Sequence, residues 1–413
     1  MFGQSNRQPI SSTSSNSAIA RKRLSARFRA LIAAIALLPV LPLSCFADHV
    51  HHLWYNNSQW QDQDLTALTG GGNTYGFDAI TAFYTTPNQQ LHVYYVDWPT
   101  NAVHQLFFNG TTWSDQDLTA LVGGPQAAGN GISGFAIGNL QYVFYVGLFD
   151  THVHELSYNN SNWSDVDITS LAGGPSASFG NLVAFPTKPN NQFHVYYPDG
   201  NGDLHQLYFN GSSWADGDLT AITGARCYGS LWISGFATGN LQHVFCPGYG
   251  GYSSNIDMLH IFYNNYRWTY EDITYRAGGL ELPIYPGPGE AAFVVGNQGK
   301  VYGVTNDTHV HQFTFLSGHW SDVDLTSIIG APQTSAPGAM LGFHTSPNNE
   351  LHIYYTPSTG TQQYTDVYQL YFNGNAWSIQ NLTGGAGQGD VIGGMSGFAI
   401  GNQQHVFYLA NGN

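Results

Sequence analysis

The amino-acid sequence predicts an all-β protein, a seven-bladed β-propeller of four-stranded blades, from three observations. A tryptophan followed by acidic residues and then by Leu-Thr or Ile-Thr recurs throughout the chain. The 413 residues include 49 glycines and are 15% aromatic but only 9% charged, a composition typical of many short strands joined by tight turns. The two ends of the chain each supply part of the same repeat, which completes the seven.

Seven tryptophans mark the repeat, each at the start of its last strand. They are Trp60, Trp113, Trp163, Trp214, Trp268, Trp320 and Trp377. Repeats of this length that alternate apolar and polar residues indicate propeller blades, because one small sheet buries both faces only when neighbouring sheets stack on it. The seven markers therefore predict seven blades in one domain.

The third repeat contains four strand-like runs, separated by turn-forming Gly-Asn and Asn-Asn pairs. The runs cover residues 134–137, 141–146, 152–158 and 163–169. No helical periodicity is visible after residue 47, so we expect four strands per blade and little helix.

The two termini complement each other. Residues 396–408 match the first two strands of the repeat, whereas residues 49–52 correspond to its third strand. We therefore expect the closing blade to be shared between N- and C-terminal strands, which removes exposed sheet edges.

Residues 1–47 have the layout of a secretory signal peptide, and residues 48–413 form the predicted propeller. Basic residues from Arg21 to Arg29 precede an uncharged apolar run, Ala30 to Leu43, and small Ala47 follows it. A membrane anchor is the alternative, but the run is short and contains prolines. We expect cleavage after Ala47 and a secreted protein, extracellular or periplasmic, with no membrane insertion of the mature chain. Cys45 leaves lipidation open.

The charge of the mature chain excludes one class of partner. Cleavage would remove six of the eleven Lys and Arg residues and none of the 26 acidic ones. Nucleic acid and anionic membranes are poor partners for so acidic a protein.

The remaining cysteines, Cys227 and Cys246, suit one disulfide in an oxidising compartment. Two buried free thiols are equally compatible with this spacing.

Acidic residues and histidines recur at fixed places in the repeats. Acids such as Asp115 and Asp117 lie on the last strand, where we expect them to protect a sheet edge and bond turns rather than bind calcium. Alternate histidines such as His152 and His154 share a strand face, as metal ligands can. The repeats lack a consistent third ligand, so we predict no metal and no cofactor.

The third strand of every repeat carries a polar residue three positions before an aromatic ring. The pairs are His52 with Tyr55, Gln105 with Phe108, Glu155 with Tyr158, Gln206 with Phe209, His260 with Tyr263, Gln312 with Phe315, and Gln369 with Phe372. This odd spacing places the two side chains on opposite faces, so the ring of one blade can face the polar residue of its neighbour. Such a cleft suits a sugar with an apolar face. Packing between blades is the alternative for any single ring.

Two segments, residues 91–95 (LHVYY) and residues 205–209 (HQLYF) followed by Trp214, resemble the repeat of fucose-binding β-propeller lectins. That family includes six-bladed fungal proteins and seven-bladed bacterial ones like those of Photorhabdus. The resemblance covers the chain from about residue 48. It implies sugar sites between blades, each with an Arg on the second strand, a Glu on the third, and a stacking ring three residues beyond the Glu.

The family's charged pair is not preserved in any repeat. Its Glu position falls on the third-strand polar residues given above. Its Arg position falls on His92, Tyr142, His194, His243, Lys300, His352 and His405. Neutral His and Gln side chains form weaker hydrogen bonds to hydroxyls than a charged pair does.

The sequence thus predicts a multivalent lectin for fucosylated or O-methylated glycans rather than an enzyme. One alternative is a protein-binding or structural propeller. The other is a propeller glycosidase or lyase, in which Arg226, Arg267 and Arg276 would form a sialidase-like trio.

Overall fold

The chain is described by a computed structural model that covers most of the predicted propeller. The described residues are 48–56, 59–74, 80–178, 181–228, 232–250, 256–282, 290–296, 298–334, 339–357, 366–384 and 391–412. The predicted signal segment, residues 1–47, lies outside them. Within this part of the chain no helix is long and apolar enough to span a membrane.

The all-β prediction is confirmed, and the described strands form antiparallel sheets of four, numbered I to VII. Sheet I comprises β4 (Ile80–Tyr84), β5 (Leu91–Trp98), β6 (Val103–Phe108) and β7 (Trp113–Asp117). Sheet II comprises β8 (Ala127–Ile137), β9 (Leu140–Gly147), β10 (Val153–Tyr158) and β11 (Trp163–Asp167). Sheet III comprises β12 (Val183–Pro186), β13 (Phe193–Pro198), β14 (Leu204–Phe209) and β15 (Trp214–Asp218). Sheet IV comprises β16 (Ser234–Thr238), β17 (Leu241–Gly248), β18 (Asp257–Tyr263) and β19 (Trp268–Asp272). Sheet V comprises β20 (Glu290–Val295), β21 (Gln298–Val304), β22 (Val310–Leu316) and β23 (His319–Asp324). Sheet VI comprises β24 (Met340–His344), β25 (Leu351–Tyr355), β26 (Tyr368–Phe372) and β27 (Trp377–Asn381).

Sheet VII combines the two ends of the described chain. Its strands in spatial order are β28 (Val391–Ile400), β29 (Gln403–Asn411), β1 (Asp48–Asn56) and β2 (Gln59–Asp64). The register between β1 and β29 runs from Asp48 opposite Asn411 to Trp54 opposite His405. A two-residue strand, β3 (Asn73–Thr74), pairs with both β1 and β5 and so connects sheets VII and I.

Among the described residues, six one-turn helices follow the last strands of sheets VII and I to V, and the sequence prediction missed them. They are α1 (Leu65–Thr69), α2 (Leu118–Val122), α3 (Ile168–Ala172), α4 (Leu219–Thr223), α5 (Ile273–Ala277) and α6 (Leu325–Ile329). Each begins after an N-cap Asp, as Asp117 caps Ala120 N at 2.8 Å, and ends at a glycine in the left-handed region, such as Gly123 with φ 70°. Five residues are too few to show helical periodicity.

The marker tryptophans join neighbouring sheets. Their rings meet second- or third-strand rings of the preceding sheet nearly edge-on, with centroid separations between 5.7 and 6.4 Å. The pairs are Trp113 with Phe407, Trp163 with Tyr94, Trp214 with Phe144, Trp268 with Tyr196, Trp320 with His260, Trp377 with Tyr302, and Trp60 with Tyr354. This contact therefore recurs at every boundary between consecutive sheets.

The first strands of consecutive sheets also contact one another in chain order, and β28 contacts both β24 and β4. Together they line one cavity of about 250 Å³.

Cys246 of β17 in sheet IV forms a disulfide with Cys227, and the two Cα atoms lie 5.7 Å apart.

Candidate functional site

The third-strand rings singled out from the sequence pack against the marker Trp of their own sheet. Centroid separations lie between 5.3 and 5.6 Å. The pairs are Tyr55 with Trp60, Phe108 with Trp113, Tyr158 with Trp163, Phe209 with Trp214, Tyr263 with Trp268, Phe315 with Trp320, and Phe372 with Trp377. Each pair lies at a sheet boundary, because its Trp also meets the preceding sheet.

The polar partners of these rings behave differently from one boundary to another. Between sheets I and II, Gln105 Nε2 lies 3.0 Å from His92 Nδ1, 2.7 Å from Tyr94 OH and 3.0 Å from Oε1 of Gln141 in sheet II. Tyr94 OH also donates to Gln141. The amide thus sits in a hydrogen-bond network that crosses the boundary, and its residue is only 4% exposed.

The same network occurs at two further boundaries. Between sheets III and IV it consists of Gln206, His194, Tyr196 and Gln242. Between sheets VI and VII it consists of Gln369, His352, Tyr354 and Gln404. We call these three the closed boundaries.

The histidines at the closed boundaries have partners on both ring nitrogens. His92 accepts from Gln105 at Nδ1, and its Nε2 lies 3.2 Å from Thr85 Oγ1. Burial lowers the pKa of His92 to about 4, so the ring is neutral at pH 7. The predicted open cleft is therefore corrected at these boundaries, since the polar groups are buried and already bonded. The affected residues are His92, Gln105, His194, Gln206, His352 and Gln369.

The boundary between sheets VII and I is built from different residues. His52 occupies the position of Gln105, and its Nε2 lies 3.0 Å from Nδ1 of His405. Phe407, stacked on His52 at 4.4 Å, replaces the network tyrosine, and Leu91 replaces the glutamine from the following sheet. A cavity of about 600 Å³ lies beside them, lined also by Trp54, Phe108 and Trp113.

The boundary between sheets IV and V has the same character. His243 Nδ1 lies 2.9 Å from His260 Nε2, and Phe245 stacks on His260 at 4.7 Å. Gly299 takes the place of the glutamine from the following sheet. These residues line a cavity of about 260 Å³ together with Phe315 and Trp320. We call these two the open boundaries.

The open-boundary histidines are neutral because they are buried beside each other. Burial and the charge of His405 lower the pKa of His52, and burial lowers that of His405 to about 4. His405 Nε2 is buried and has no hydrogen-bond partner among the described residues. Burial and the charge of His260 lower the pKa of His243 to about 3. Neutral imidazoles can both donate to and accept from sugar hydroxyls.

Glu271 organises the open boundary between sheets IV and V. Its Oε1 accepts from His260 Nδ1 at 3.0 Å and from Trp320 Nε1 at 2.8 Å, while Oε2 pairs with Arg276 at 3.2 Å. Burial alone would raise the pKa of Glu271, but the hydrogen bonds from His260 and Trp320 hold it below its ordinary value. The carboxylate therefore fixes one histidine and one wall of the cavity.

The last two boundaries match neither type. Between sheets II and III, burial raises the pKa of Glu155 to about 7. Between sheets V and VI, Gln312 accepts from Tyr302 OH at 3.0 Å and donates to Thr314, and Lys300 reaches the same hydroxyl at 3.3 Å. Neither boundary combines the paired histidines and adjoining cavity of the open boundaries in the part of the chain described.

Acids follow every marker Trp except Trp377, and those of sheet I have specific partners. In sheet I, His104 Nδ1 donates to Asp115 at 2.9 Å, and Tyr95 OH donates to the other oxygen. Burial opposes protonation of His104, but the hydrogen bond and charge of Asp115 raise its pKa above the ordinary value. The next acid, Asp117, caps helix α2. The expected role in bonding turns thus extends to anchoring a strand and capping a helix.

Comparisons with known proteins support the fold. No protein-family model and no curated protein matches the chain. A mutant Aleuria aurantia lectin in complex with Fucα1-6GlcNAc aligns with 74% of this chain and 96% of its own, at 16% identity and a TM-score of 0.50. A triple mutant of AofleA from Arthrobotrys oligospora aligns with 82% of this chain and 94% of its own, at 14% identity and a TM-score of 0.50.

The Aleuria lectin is described as a six-bladed β-propeller with a fucose recognition mode. At these identities the likeness establishes the fold alone. The resemblance to fucose-specific lectins predicted from the repeat is confirmed at that level, and the chain has a β-propeller fold of the kind found in those lectins.

Proposed function

We propose that this protein is a glycan-binding lectin whose principal sugar sites are the two open boundaries. The observation that carries the proposal is the pairing, at each of them, of two neutral histidines with an aromatic pair from the next sheet around a cavity. The ring faces favour an apolar sugar face, and the Nε2 atoms of His405 and His243, which their partner histidines do not use, are the proposed contacts to hydroxyls. This selects two of the seven boundaries predicted from the sequence.

The proposed architecture is one seven-bladed propeller in which sheets I to VII are the blades. Two features support that number: the first strands contact in chain order with β28 meeting β4, and the Trp contact recurs at each boundary. Pairing of β1 with β29 supports a closing blade shared between the termini.

Fucosylated or O-methylated glycans are the proposed ligands, because a deoxy or methylated sugar presents an apolar patch to the rings. The Arg and Glu positions of the lectin repeat hold neutral histidines at both open boundaries, so each site is expected to bind in the high micromolar to millimolar range. Two such sites on one molecule favour binding to surfaces with many glycans, where the second contact follows the first at high effective concentration.

Secretion is part of the proposal, with the mature chain starting at or near Asp48. The disulfide between Cys227 and Cys246 supports an oxidising compartment. N-terminal sequencing of exported protein tests it. A start before Arg21, or an acyl group on Cys45, would contradict a soluble product cleaved after Ala47.

An enzymatic role has less support. Arg267 precedes the five-residue strand β19 and Arg276 follows it in α5, so the strand separates the two guanidinium-bearing residues. Arg276 is paired with Glu271. This placement argues against a converging arginine trio, and binding without turnover is the proposed activity.

The direct test is a glycan array probed with the folded protein, followed by calorimetric titration with the best monosaccharide, starting with α-methyl-L-fucoside. We expect binding to fucosylated or methylated glycans and two sugars bound per chain. Absence of binding to a broad, dense array would overturn the lectin proposal and favour a protein-binding propeller.

A further inference from the structure

One pentapeptide, DTHVH, occurs twice in the chain and is not explained by sugar binding. It covers residues 150–154 in sheet II and residues 307–311 in sheet V. Each copy spans the turn between the second and third strands and the start of the third, at the opposite end of that strand from the aromatic ring. The second residue of each copy, Thr308 with φ 69° and Thr151 with φ 57°, has a left-handed conformation that costs energy in a β-branched residue.

In sheet V this turn gathers four potential ligand side chains, Asp307, His309, His311 and Asp324. One ligand atom from each lies within 4.8 Å of all the others. Asp307 Oδ2 is 3.4 Å from His309 Nδ1 and 3.3 Å from His311 Nε2. His309 Nδ1 is 2.7 Å from Asp324 Oδ2.

Neighbouring groups hold these side chains in place. His311 Nδ1 bonds to Asp322 at 2.8 Å, which directs Nε2 to the cluster. Asp324 uses Oδ1 to cap helix α6 through Ser327 N, leaving Oδ2 for the cluster. Gln333 contacts His309 Nε2 at 2.6 Å, leaving Nδ1. Carboxylate and amide partners of this kind orient metal-bound histidines in proteins.

We propose that Asp307, His309, His311 and Asp324 form a structural Zn²⁺ site. Zinc bonds of about 2.0 to 2.2 Å at tetrahedral angles place ligand atoms about 3.3 to 3.6 Å apart. The two distances from Asp307 Oδ2 meet this spacing, and the remaining separations are within 4.8 Å. Zinc would displace the contacts of His309 Nδ1 with Asp324 and with Ser327 Oγ. Two imidazoles and two carboxylates complete four-coordination from the protein alone, which is the arrangement of a structural site.

The sequence pattern does not indicate this proposed site, because no third ligand recurs in every repeat. The missing ligands are the turn Asp and the helix-capping Asp, which meet the histidines only in the folded sheet. In sheet II, Asp150, His154 and Asp167 lie within the same 4.8 Å limit, but His152 is not among them. We expect that copy to bind zinc more weakly.

Zinc titration of the purified full chain, prepared without a histidine tag and stripped with EDTA, tests the site. His309→Ala is the main variant, because sheet I already has an alanine, Ala102, at the equivalent position. The two positions are equivalent because the next residue in each sheet makes the same hydrogen bond: Val103 N donates to Thr119, and Val310 N donates to Thr326. His319→Ala is the matched control, since it removes an exposed histidine of the same sheet outside the cluster.

We expect one tight zinc site in the wild type and in His319→Ala, together with a higher melting temperature when zinc is present. His309→Ala should weaken that site by about 100-fold or more, beyond what loss of an outer partner costs. Asp307→Asn should also weaken it, and provides a second variant if His309→Ala fails to fold by circular dichroism. No zinc binding by the wild type, or equal binding by wild type and His309→Ala, would overturn the proposal.

Discussion

The boundary between sheets I and II and the boundary between sheets VII and I occupy equivalent places in the repeat but have opposite properties. At the first, Tyr94, Gln105 and Gln141 bond one another across the sheets. At the second, Phe407 and Leu91 take the places of the tyrosine and the second glutamine, so no such network forms and a cavity adjoins the histidines. The polar residues therefore divide between those that bond neighbouring sheets together and those that adjoin a cavity.

One repeat thus carries two arrangements through correlated substitutions. The third-strand residue is Gln where the second strand supplies Tyr and the next sheet supplies Gln. It is His at both open boundaries, where the other two residues are Phe with Leu or Gly. A buried amide needs hydrogen-bond partners. At the boundary between sheets V and VI, where Leu351 stands in place of the second glutamine, Gln312 bonds to Tyr302 and Thr314 instead.

The largest single effect is expected from breaking a closed boundary. Gln105→Leu should lower the free energy of unfolding by about 3 to 5 kcal/mol, because it leaves His92, Tyr94 and Gln141 with lost bonds in a buried site. His52→Leu at the open boundary removes one such bond and should cost about 1 to 2 kcal/mol. Urea unfolding of both variants measures the difference. Equal costs would contradict the division into open and closed boundaries.

The second prediction uses the neutral state of the closed-boundary histidine. The pKa of His92 is lowered to about 4 in the folded protein, so the unfolded chain binds a proton that the folded one does not as pH falls below about 6.5. The stability contributed at neutral pH is lost as pH falls from about 6.5 toward 4, by about 2 kcal/mol at pH 5 for this residue.

Comparison with His92→Asn isolates that contribution. The destabilisation caused by the substitution at pH 7 should shrink at pH 5, because the wild type loses stability there and the variant does not. His104 has the opposite sign, since Asp115 raises its pKa. Its contribution is complete below about pH 6.5 and is lost as pH rises through the raised value. An identical substitution cost for His92→Asn at both pH values would contradict the buried neutral imidazole.

The sheets themselves were predictable from the sequence, and the reason is local. Spacing of the marker Trp residues, alternation along the strands and the half-repeats at the two ends are visible without knowing which strands meet. The one-turn helices were missed because their signal is a single capping Asp and a terminal glycine. The Cys227 to Cys246 bond was not predictable, because the spacing of two cysteines fixes no geometry.

The candidate site was only partly predictable. The histidines and rings of both open boundaries were identified, but the closed boundaries were not distinguished from them. Tyr94 and Gln141 form a hydrogen bond across a sheet boundary although they are far apart in the chain. Predicting that bond requires knowing which strands face each other. Aligning the repeats and noting that Tyr, Gln and the following Gln occur together would have provided the signal.

A smaller effect is expected from converting an open boundary into a closed one. The triple variant Phe407→Tyr, His52→Gln and Leu91→Gln installs the network residues between sheets VII and I. Each buried hydrogen bond that forms should add about 1 kcal/mol, and the amides should occupy space beside the cavity. We expect a modest rise in stability and one sugar bound per chain instead of two. Two bound sugars in the stable triple variant would contradict the assigned site.

The most direct test of the central claim compares ring removal at the two kinds of boundary. Phe108→Ala with Phe315→Ala removes one ring from each open boundary. Tyr158→Ala with Tyr263→Ala removes the equivalent rings from two closed boundaries and is the matched control. Binding of each folded double variant to a glycan-coated surface is measured by surface plasmon resonance. We expect the first pair of substitutions to abolish binding and the second pair to leave it unchanged. Equal losses, or loss only in the control pair, would contradict the central claim.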